Sequence, residues 1–204
     1  MSNRDWVGNS NSIYKTLGAS NHTDKERQNE DYYATDPIAA KLLLEIEDID
    51  KTLPIWEPAS GENHLANVFK ERGYKVKTSD IVKRTDTTEI IDFLSDNVRE
   101  WNGTIITNPP YNCASQFVEK AMNILHNGNK CIMFLKIQFL EGKARKELFK
   151  KYPPKTIWVS SSRIICAKNG EFEKMKAGGG SAVAYAWYVW EKGYKGDTTI
   201  KWFN

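Results

Sequence analysis

The tetrad Asn108-Pro109-Pro110-Tyr111 carries the clearest chemistry in this sequence. It closes an apolar, β-branched run, Ile105-Ile106-Thr107. A residue before proline is pushed out of the helical region, so Asn108 and Pro109 are both expected to be extended. Two successive prolines remove two backbone donors, so neither a helix nor a ladder continues through them. The expected product is a stiff tip at the carboxyl end of a strand, where open α/β sheets bind their ligands. That tip presents the side-chain carbonyl of Asn108, the carbonyl of Pro109 and the ring of Tyr111. These groups suit a flat heterocycle that bears an amino group. The lone pair of such a nitrogen is delocalised into the ring, so it attacks poorly. Two acceptors on its two hydrogens favour a pyramidal nitrogen and localise the lone pair, while the aromatic ring stacks on the heterocycle. This is positioning and electrostatic preorganisation, with no general base. An Asn-Pro turn that merely ends a strand is the plainer reading.

A second constellation lies upstream. The short apolar run Leu53-Pro54-Ile55-Trp56 leads into Glu57-Pro58-Ala59-Ser60-Gly61-Glu62-Asn63-His64-Leu65. Leu65, Val68 and Phe69 then mark a helical face, and Gly73 stops it. Strand, small-residue turn and helix form the first half of a nucleotide-binding βαβ unit. The next strand, Lys75 to Ser79, ends at Asp80. An acid about 20 residues beyond such a turn accepts hydrogen bonds from ribose hydroxyls. Glu57, Ala59 and Gly61 line the turn. Asn63 stands where a second glycine would be usual, and asparagine tolerates the left-handed region better than most residues. A plain βα turn remains the alternative. Asp92 and Phe93 suit either an adenine amine and its face, or a helix cap and a core residue. Before all of these, Tyr33-Ala34-Thr35-Asp36-Pro37 opens a helix. Asp36 is a good N-cap, Pro37 a good first residue, and Ile38, Leu42 and Ile46 lie on one face. Tyr33 and Thr35 precede free N–H groups, which suit a carboxylate.

The elements that must position these residues follow from the hydrophobic pattern. Phe117, Val118, Ala121, Met122 and Leu125 predict an amphipathic helix. Lys130 to Ile137 is a continuous apolar run, fit for a central parallel strand. Leu140, Ala144 and Leu148 predict another helix. Thr156 to Val159 and Val183 to Trp190 predict strands, and Thr198 to Phe203 a last one, paired after the Gly193–Gly196 turn. Between them lies a long, basic, glycine-rich stretch from Arg163 to Ser181, expected to be a functional loop. From Glu141 to Lys176 the cations include Lys143, Arg145, Lys168, Lys174 and Lys176, besides Arg163. A solvated face is the usual reading of such a run, but beside a base-binding tip it suits phosphates. Residues 1–30 have few apolar positions and are expected to form a mobile arm, with Trp6 and Tyr14 as possible anchors. Residues 31–204 are expected to form one domain.

Composition bounds the rest. A chain of 204 residues can bury a sizeable single core. No apolar run approaches the ~20 residues that span a membrane, and Met-Ser-Asn-Arg-Asp does not open a signal peptide. Cys113, Cys131 and Cys166 give neither metal spacing nor an even disulfide set, so they are expected to be reduced thiols in a cytoplasmic protein. His22, His64 and His126 are scattered, and no metal site is expected.

The order of these motifs resembles the amino-group DNA methyltransferases, and within them the small phage and prophage DNA N6-adenine methyltransferases. The carriers are Tyr33-Ala34-Thr35-Asp36-Pro37, Glu57-Pro58-Ala59-Ser60-Gly61, Asp80, Asp92-Phe93 and Asn108-Pro109-Pro110-Tyr111. The tail Ala184 to Gly193 is similar to that family's closing strand, so the likeness runs over roughly residues 31 to 194. Departures are Asn63, where a glycine is usual, and Asp36, since that motif often reads Thr-Pro directly. No large separate target-recognition domain is expected within these 204 residues. The resemblance implies a Rossmann-like class I methyltransferase fold: α/β, with a mostly parallel central sheet, an antiparallel strand near its end and helices on both faces. It implies S-adenosylmethionine as methyl donor and DNA as partner. Tyr33 and Thr35 would hold the methionine end. Glu57, Ala59 and Gly61 would line the donor pocket, with Asp80 on the ribose and Asp92 and Phe93 on the adenine. Asn108 to Tyr111 would hold a flipped target adenine, and Lys143, Arg145, Arg163, Lys168, Lys174 and Lys176 the phosphates. Methylation of an RNA base or a protein glutamine stays open, as does a nucleic-acid-binding module that has lost the donor.

Overall fold

A computed structural model describes residues 33–168, 170–177 and 183–204. The expected arm at 1–30, with Trp6 and Tyr14, lies outside the described residues, as do Gly178 to Gly180.

In chain order the elements are β1 (Tyr33–Thr35), α1 (Ile38–Ile46), β2 (Ile55–Glu57), α2 (His64–Glu71), β3 (Val76–Asp80), β4 (Glu89–Ile90), β5 (Thr104–Thr107), α3 (Ala114–Ile124), β6 (Lys130–Lys136), α4 (Lys143–Lys151), β7 (Thr156–Ser160), β8 (Cys166–Lys168), α5 (Phe172–Ala177), β9 (Tyr185–Glu191) and β10 (Thr199–Phe203). Eight strands form one sheet in the order β10-β7-β9-β6-β5-β2-β3-β4. Its pairings are parallel except those of β9, which runs antiparallel to both β6 and β7. This is the expected Rossmann-like architecture with one reversed strand.

The strand pattern explains the two layers. Along β9, Ala186, Tyr188 and Trp190 face one core with Cys131, Met133 and Leu135 of β6, covered by Phe117, Val118 and Ala121 of α3 and Leu148 of α4. Tyr185, Trp187 and Val189 face the other with Ile132 and Phe134, covered by Ala39 and Leu43 of α1 and by Leu65 and Phe69 of α2. A strand buried on both sides needs apolar residues through its interior, as β6 has from Cys131 to Leu135 and β9 from Tyr185 to Trp190. The indoles of β9 meet acceptors as they are buried: Trp187 Nε1 donates to the Ala39 carbonyl at 3.2 Å and Trp190 Nε1 to the Tyr152 carbonyl at 3.0 Å. The first of these fixes the start of α1 against the sheet.

Three local outcomes differ from the sequence expectations. The last strand does not pair back onto β9 after its turn. Both edges of β9 are occupied, so β10 adds in parallel to the free edge of β7. The stretch after Arg163 is not loop throughout. Ile164, Ile165, Cys166 and Ala167 are buried, β8 pairs antiparallel with β1, and α5 follows. Four consecutive apolar residues bury more favourably than they solvate, whatever the charge around them. Finally, Tyr33 to Thr35 form a strand of this small second sheet rather than a free approach to α1. Asp36 still caps the helix, its Oδ1 accepting the Ile38 N–H at 3.0 Å.

Candidate active site

β5 is buried along its length and ends at Asn108, where the prolines stop the ladder as their chemistry requires. The Asn108 amide nitrogen donates to the Thr35 hydroxyl at 2.8 Å and to the Tyr33 carbonyl at 3.4 Å. The Cys166 sulfur lies 3.9 Å from that nitrogen and the same distance from the Thr35 oxygen. These contacts fix which end of the amide is which, because a carbonyl can only accept. The Asn108 Oδ1 is then buried without a hydrogen-bond partner among the described residues. Leaving such an acceptor unsatisfied costs about 1–3 kcal/mol, so its retention calls for an explanation. Pro110 is extended, at φ −54° and ψ 129°, and its carbonyl accepts the Cys113 N–H at 3.1 Å. That bond closes the short 3-10 turn Tyr111–Cys113 into α3.

Tyr111 sits between two other tyrosines, with ring centroids 6.2 Å from Tyr33 and 6.4 Å from Tyr185. Its hydroxyl donates to that of Tyr185 at 3.2 Å. Burial holds the Tyr111 hydroxyl well above its ordinary titration range, so it stays protonated and able to donate. The ammonium of Lys136, the last residue of β6, lies 4.3 Å from the Tyr111 ring centroid. The cation is drawn to the electron-rich face of that ring.

The turn after β2 is built from two left-handed residues, Gly61 at φ 52° and Asn63 at φ 67°. Asparagine thus adopts the conformation expected of the usual glycine. Its side chain also ties down the segment between β3 and β4: Nδ2 donates to the Thr85 and Thr87 hydroxyls at 2.7 and 3.1 Å. The Gly61 N–H donates to Asp80 Oδ2 at 2.9 Å, and the Val82 N–H to Oδ1 at 3.0 Å. The Asp80 carboxylate is therefore held at the carboxyl end of β3, directly against the turn. Each of its oxygens keeps a further lone pair for a hydroxyl. Glu57, at the end of β2, is 2% exposed, and its Oε2 has no partner among the described residues. Burial, reinforced by the Asp80 charge, pushes its carboxyl well above the ordinary range against the Ala66 N–H and Lys70.

Tyr33, Thr35, Glu57, Ala59 and Asn108 line one cleft, together with Ala34, Ser60, His64 and Leu65. Residues drawn from β1, β2 and the end of β5 thus converge. The cleft is narrow, about 20 Å³, and the segment after β8 packs at its mouth. There the Phe172 ring meets His64 edge-on at 5.3 Å, and the Gly170 backbone lies against Glu62, His64 and Ala34. Gly61 and Asp80 join the group through their mutual bond. Asp92 caps a turn, its Oδ1 accepting the Leu94 N–H at 2.9 Å. Phe93 is 1% exposed and packs on Trp56 and Phe117. The contacts of this pair are those of a cap and a core residue. A wider surface groove, about 690 Å³, runs along Leu44 to Lys51 and Tyr74 at the opposite, amino-terminal end of the sheet and holds none of these residues.

The basic residues differ among themselves. Lys143 is exposed in the first turn of α4, at the same sheet end as Asn108. Arg145 is committed within the chain, donating to the Glu141 and Gln138 carbonyls at 2.5 and 3.3 Å. Lys174 forms an exposed ion pair with Glu171 at 3.0 Å, which exchanges easily for a phosphate. Arg163 lies at the start of the segment that enters the site through Cys166. The side chains of Lys168 and Lys176 lie outside the described residues.

Sequence reasoning missed Cys166 as a neighbour of Asn108, and with it the β1–β8 pairing that brings Thr35 there. The signal was Ile164-Ile165-Cys166-Ala167, an apolar run of strand length inside a basic stretch. It also missed Lys136 and Tyr185 beside Tyr111, for which the sequence held no local signal.

No family model and no curated protein matches the chain by sequence. Solved structures do match by fold. A protein from Listeria monocytogenes assigned to the class I S-adenosylmethionine-dependent methyltransferases is 14% identical, with a TM-score of 0.54, over 81% of this chain and 62% of that one. An S-adenosylmethionine-dependent O-methyltransferase from Thermotoga maritima is 11% identical, with a TM-score of 0.53, over 79% and 67%. The M protein of the type I restriction enzyme EcoKI is 14% identical, with a TM-score of 0.51, over 78% and 43%. The chain therefore has the fold of class I methyltransferases, and it spans less than two thirds of the Listeria and EcoKI proteins.

Proposed function

We propose that this protein transfers a methyl group from S-adenosylmethionine to the exocyclic N6 amine of adenine in DNA. It is, on this reading, a member of the small phage and prophage type of adenine methyltransferase. One observation carries it: the buried Asn108 Oδ1, without a partner among the described residues, held by its own amide in the cleft that Glu57 and Ala59 share. An acceptor kept desolvated and fixed in advance serves a donor that arrives with the substrate. The neighbouring prolines and Tyr111 fit a flat amino heterocycle.

The residues present fit the donor. Gly61 and Asn63 form a turn that brings backbone close, Asp80 is oriented by two backbone N–H groups, and a buried Glu57 oxygen has no partner among the described residues. Tyr33 and Thr35 border its methionine end, Glu57, Ala59 and Gly61 line its pocket, and Asp80 accepts from its ribose, while Asp92 and Phe93 serve as a turn cap and a core residue. When bound, the donor would supply an electrophilic sulfonium methyl, its carbon–sulfur bond breaking to leave a neutral thioether as the amine nitrogen gains the methyl and loses a proton to water.

The chain's own work is at the base. An adenine amine inside a duplex is paired, so the base must be extruded to reach the tip. Asn108 Oδ1 and the Pro109 carbonyl accept its two N–H bonds, and Tyr111 stacks on its face. Lys143, Lys174 and Arg163, with Arg145, Lys168 and Lys176, lie in the segments that meet phosphates, which position the duplex without specifying sequence.

Asn108→Ala tests this directly. The variant should bind S-adenosylmethionine with near wild-type affinity by calorimetry while single-turnover methylation of DNA falls ~10²-fold or more. Wild-type turnover in the variant would overturn the assignment.

A further inference from the structure

We infer that Thr35 is the residue that positions Asn108 for catalysis, its hydroxyl holding the amide so that Oδ1 faces the incoming amine. The inference rests on the function proposed above and gives Thr35 a role distinct from holding the donor.

The Asn108 amide can rotate by half a turn at little intrinsic cost, because the terminal torsion of asparagine is broad and roughly two-fold. Only its partners decide which end faces the target. On the inner side stand the Thr35 hydroxyl at 2.8 Å and the Tyr33 carbonyl at 3.4 Å. Both act as acceptors for the two amide hydrogens, so the flipped amide would set oxygen against oxygen at Tyr33. A carbonyl alone, at the longer distance, is the weaker constraint. The hydroxyl makes the short bond, and Thr35 is only 3% exposed, so water does not compete for it.

Cys166 keeps the hydroxyl in its accepting role. Its sulfur lies 3.9 Å from the Thr35 oxygen, and burial raises the thiol to about 11, so at neutral pH it remains an S–H donor. The hydroxyl oxygen thus receives both the amide and the thiol. The arrangement comes from the β1–β8 pairing, in which Thr35 stands directly opposite Cys166. The two-stranded sheet is therefore a bracket that aims the catalytic amide, and Thr35 is its point of contact.

Thr35→Val removes the hydroxyl and keeps the shape, and Thr35→Ser restores the hydroxyl. Nitrogen-labelled protein gives a readout independent of activity: the Asn108 side-chain amide resonances, assigned by their loss in Asn108→Ala. These should move in Thr35→Val and return in Thr35→Ser. Single-turnover methylation at saturating donor and DNA should fall about 10- to 100-fold in Thr35→Val and recover in Thr35→Ser. Calorimetric affinity for S-adenosylmethionine should fall by less than the rate does in Thr35→Val, since Thr35 only borders the donor, and should return in Thr35→Ser. Should Thr35→Val not fold, Thr35→Ala takes its place in each measurement. Unmoved amide resonances together with an unchanged rate would overturn the inference. So would a loss of donor affinity with a normal rate at saturation, which would make Thr35 a donor ligand. If the resonances move while wild-type protein methylates no adenine, the positioning stands and the proposed function fails.

Discussion

The residues of this site are ordered by what their buried polar atoms lack. Asn108 and Glu57 each keep an oxygen out of water without a partner among the described residues, and each stands at the carboxyl end of a central strand. For Glu57 the consequence is a pH dependence. Its folded-state carboxyl lies above the ordinary range, chiefly through burial. A raised acid binds its proton more tightly when folded, so the stability it contributes is complete below its unfolded value. That stability is lost as pH rises through the folded value. Glu57→Gln stays neutral throughout and can still accept the Ala66 N–H. It should therefore flatten this loss and raise the melting temperature at neutral and mildly alkaline pH. The gain should be roughly 2–4 °C for each kcal/mol recovered in a chain of this size. Melting curves of variant and wild type that stay parallel from acid to alkaline pH would show that Glu57 does not titrate there. At this scale the sequence was informative where backbone chemistry is intrinsic. Asn108 before two prolines and Asn63 in a left-handed turn were both legible. The partners of Asn108 were not, since Thr35 and Cys166 are 131 positions apart in the chain and meet only through strand pairing.

Among the elements, β2, β3, β5, β6 and β9 were legible because each lies between turn signals, and all but β3 are runs mainly of apolar or β-branched residues. β8 was not, and β10 was legible as a strand but not in its pairing. The first is three residues long and sits in a basic stretch, and the second has its pairing decided by which sheet edge remains free. Charge led to a loop where burial made a strand. On the proposed function, the helices that follow β6 and β8 are where DNA contact is to be tested. Lys143 opens α4 just beyond β6, and Lys174 lies in α5 beyond β8. Replacing both with alanine should weaken binding to all DNA sequences alike. The salt dependence of binding should flatten by roughly 0.9 log units for each phosphate left without its lysine. An unchanged salt slope would mean that neither helix touches the DNA backbone. Arg145→Ala should act differently, loosening the turn that it caps through Gln138 and Glu141.

The whole molecule is a doubly wound sheet whose carboxyl end gathers Asp80, Glu57, Asn108 and the bracket of β1 and β8. That gathering follows from topology, because every parallel strand delivers its end to the same edge. The most direct test of the proposed function is to incubate the purified protein with isotopically labelled S-adenosylmethionine and unmethylated DNA, digest the product to nucleosides and identify the labelled species by mass spectrometry. N6-methyldeoxyadenosine as the labelled nucleoside, absent with Asn108→Ala, is the predicted result. Label on cytosine, or label found only when RNA or protein replaces DNA as the substrate, would contradict the account.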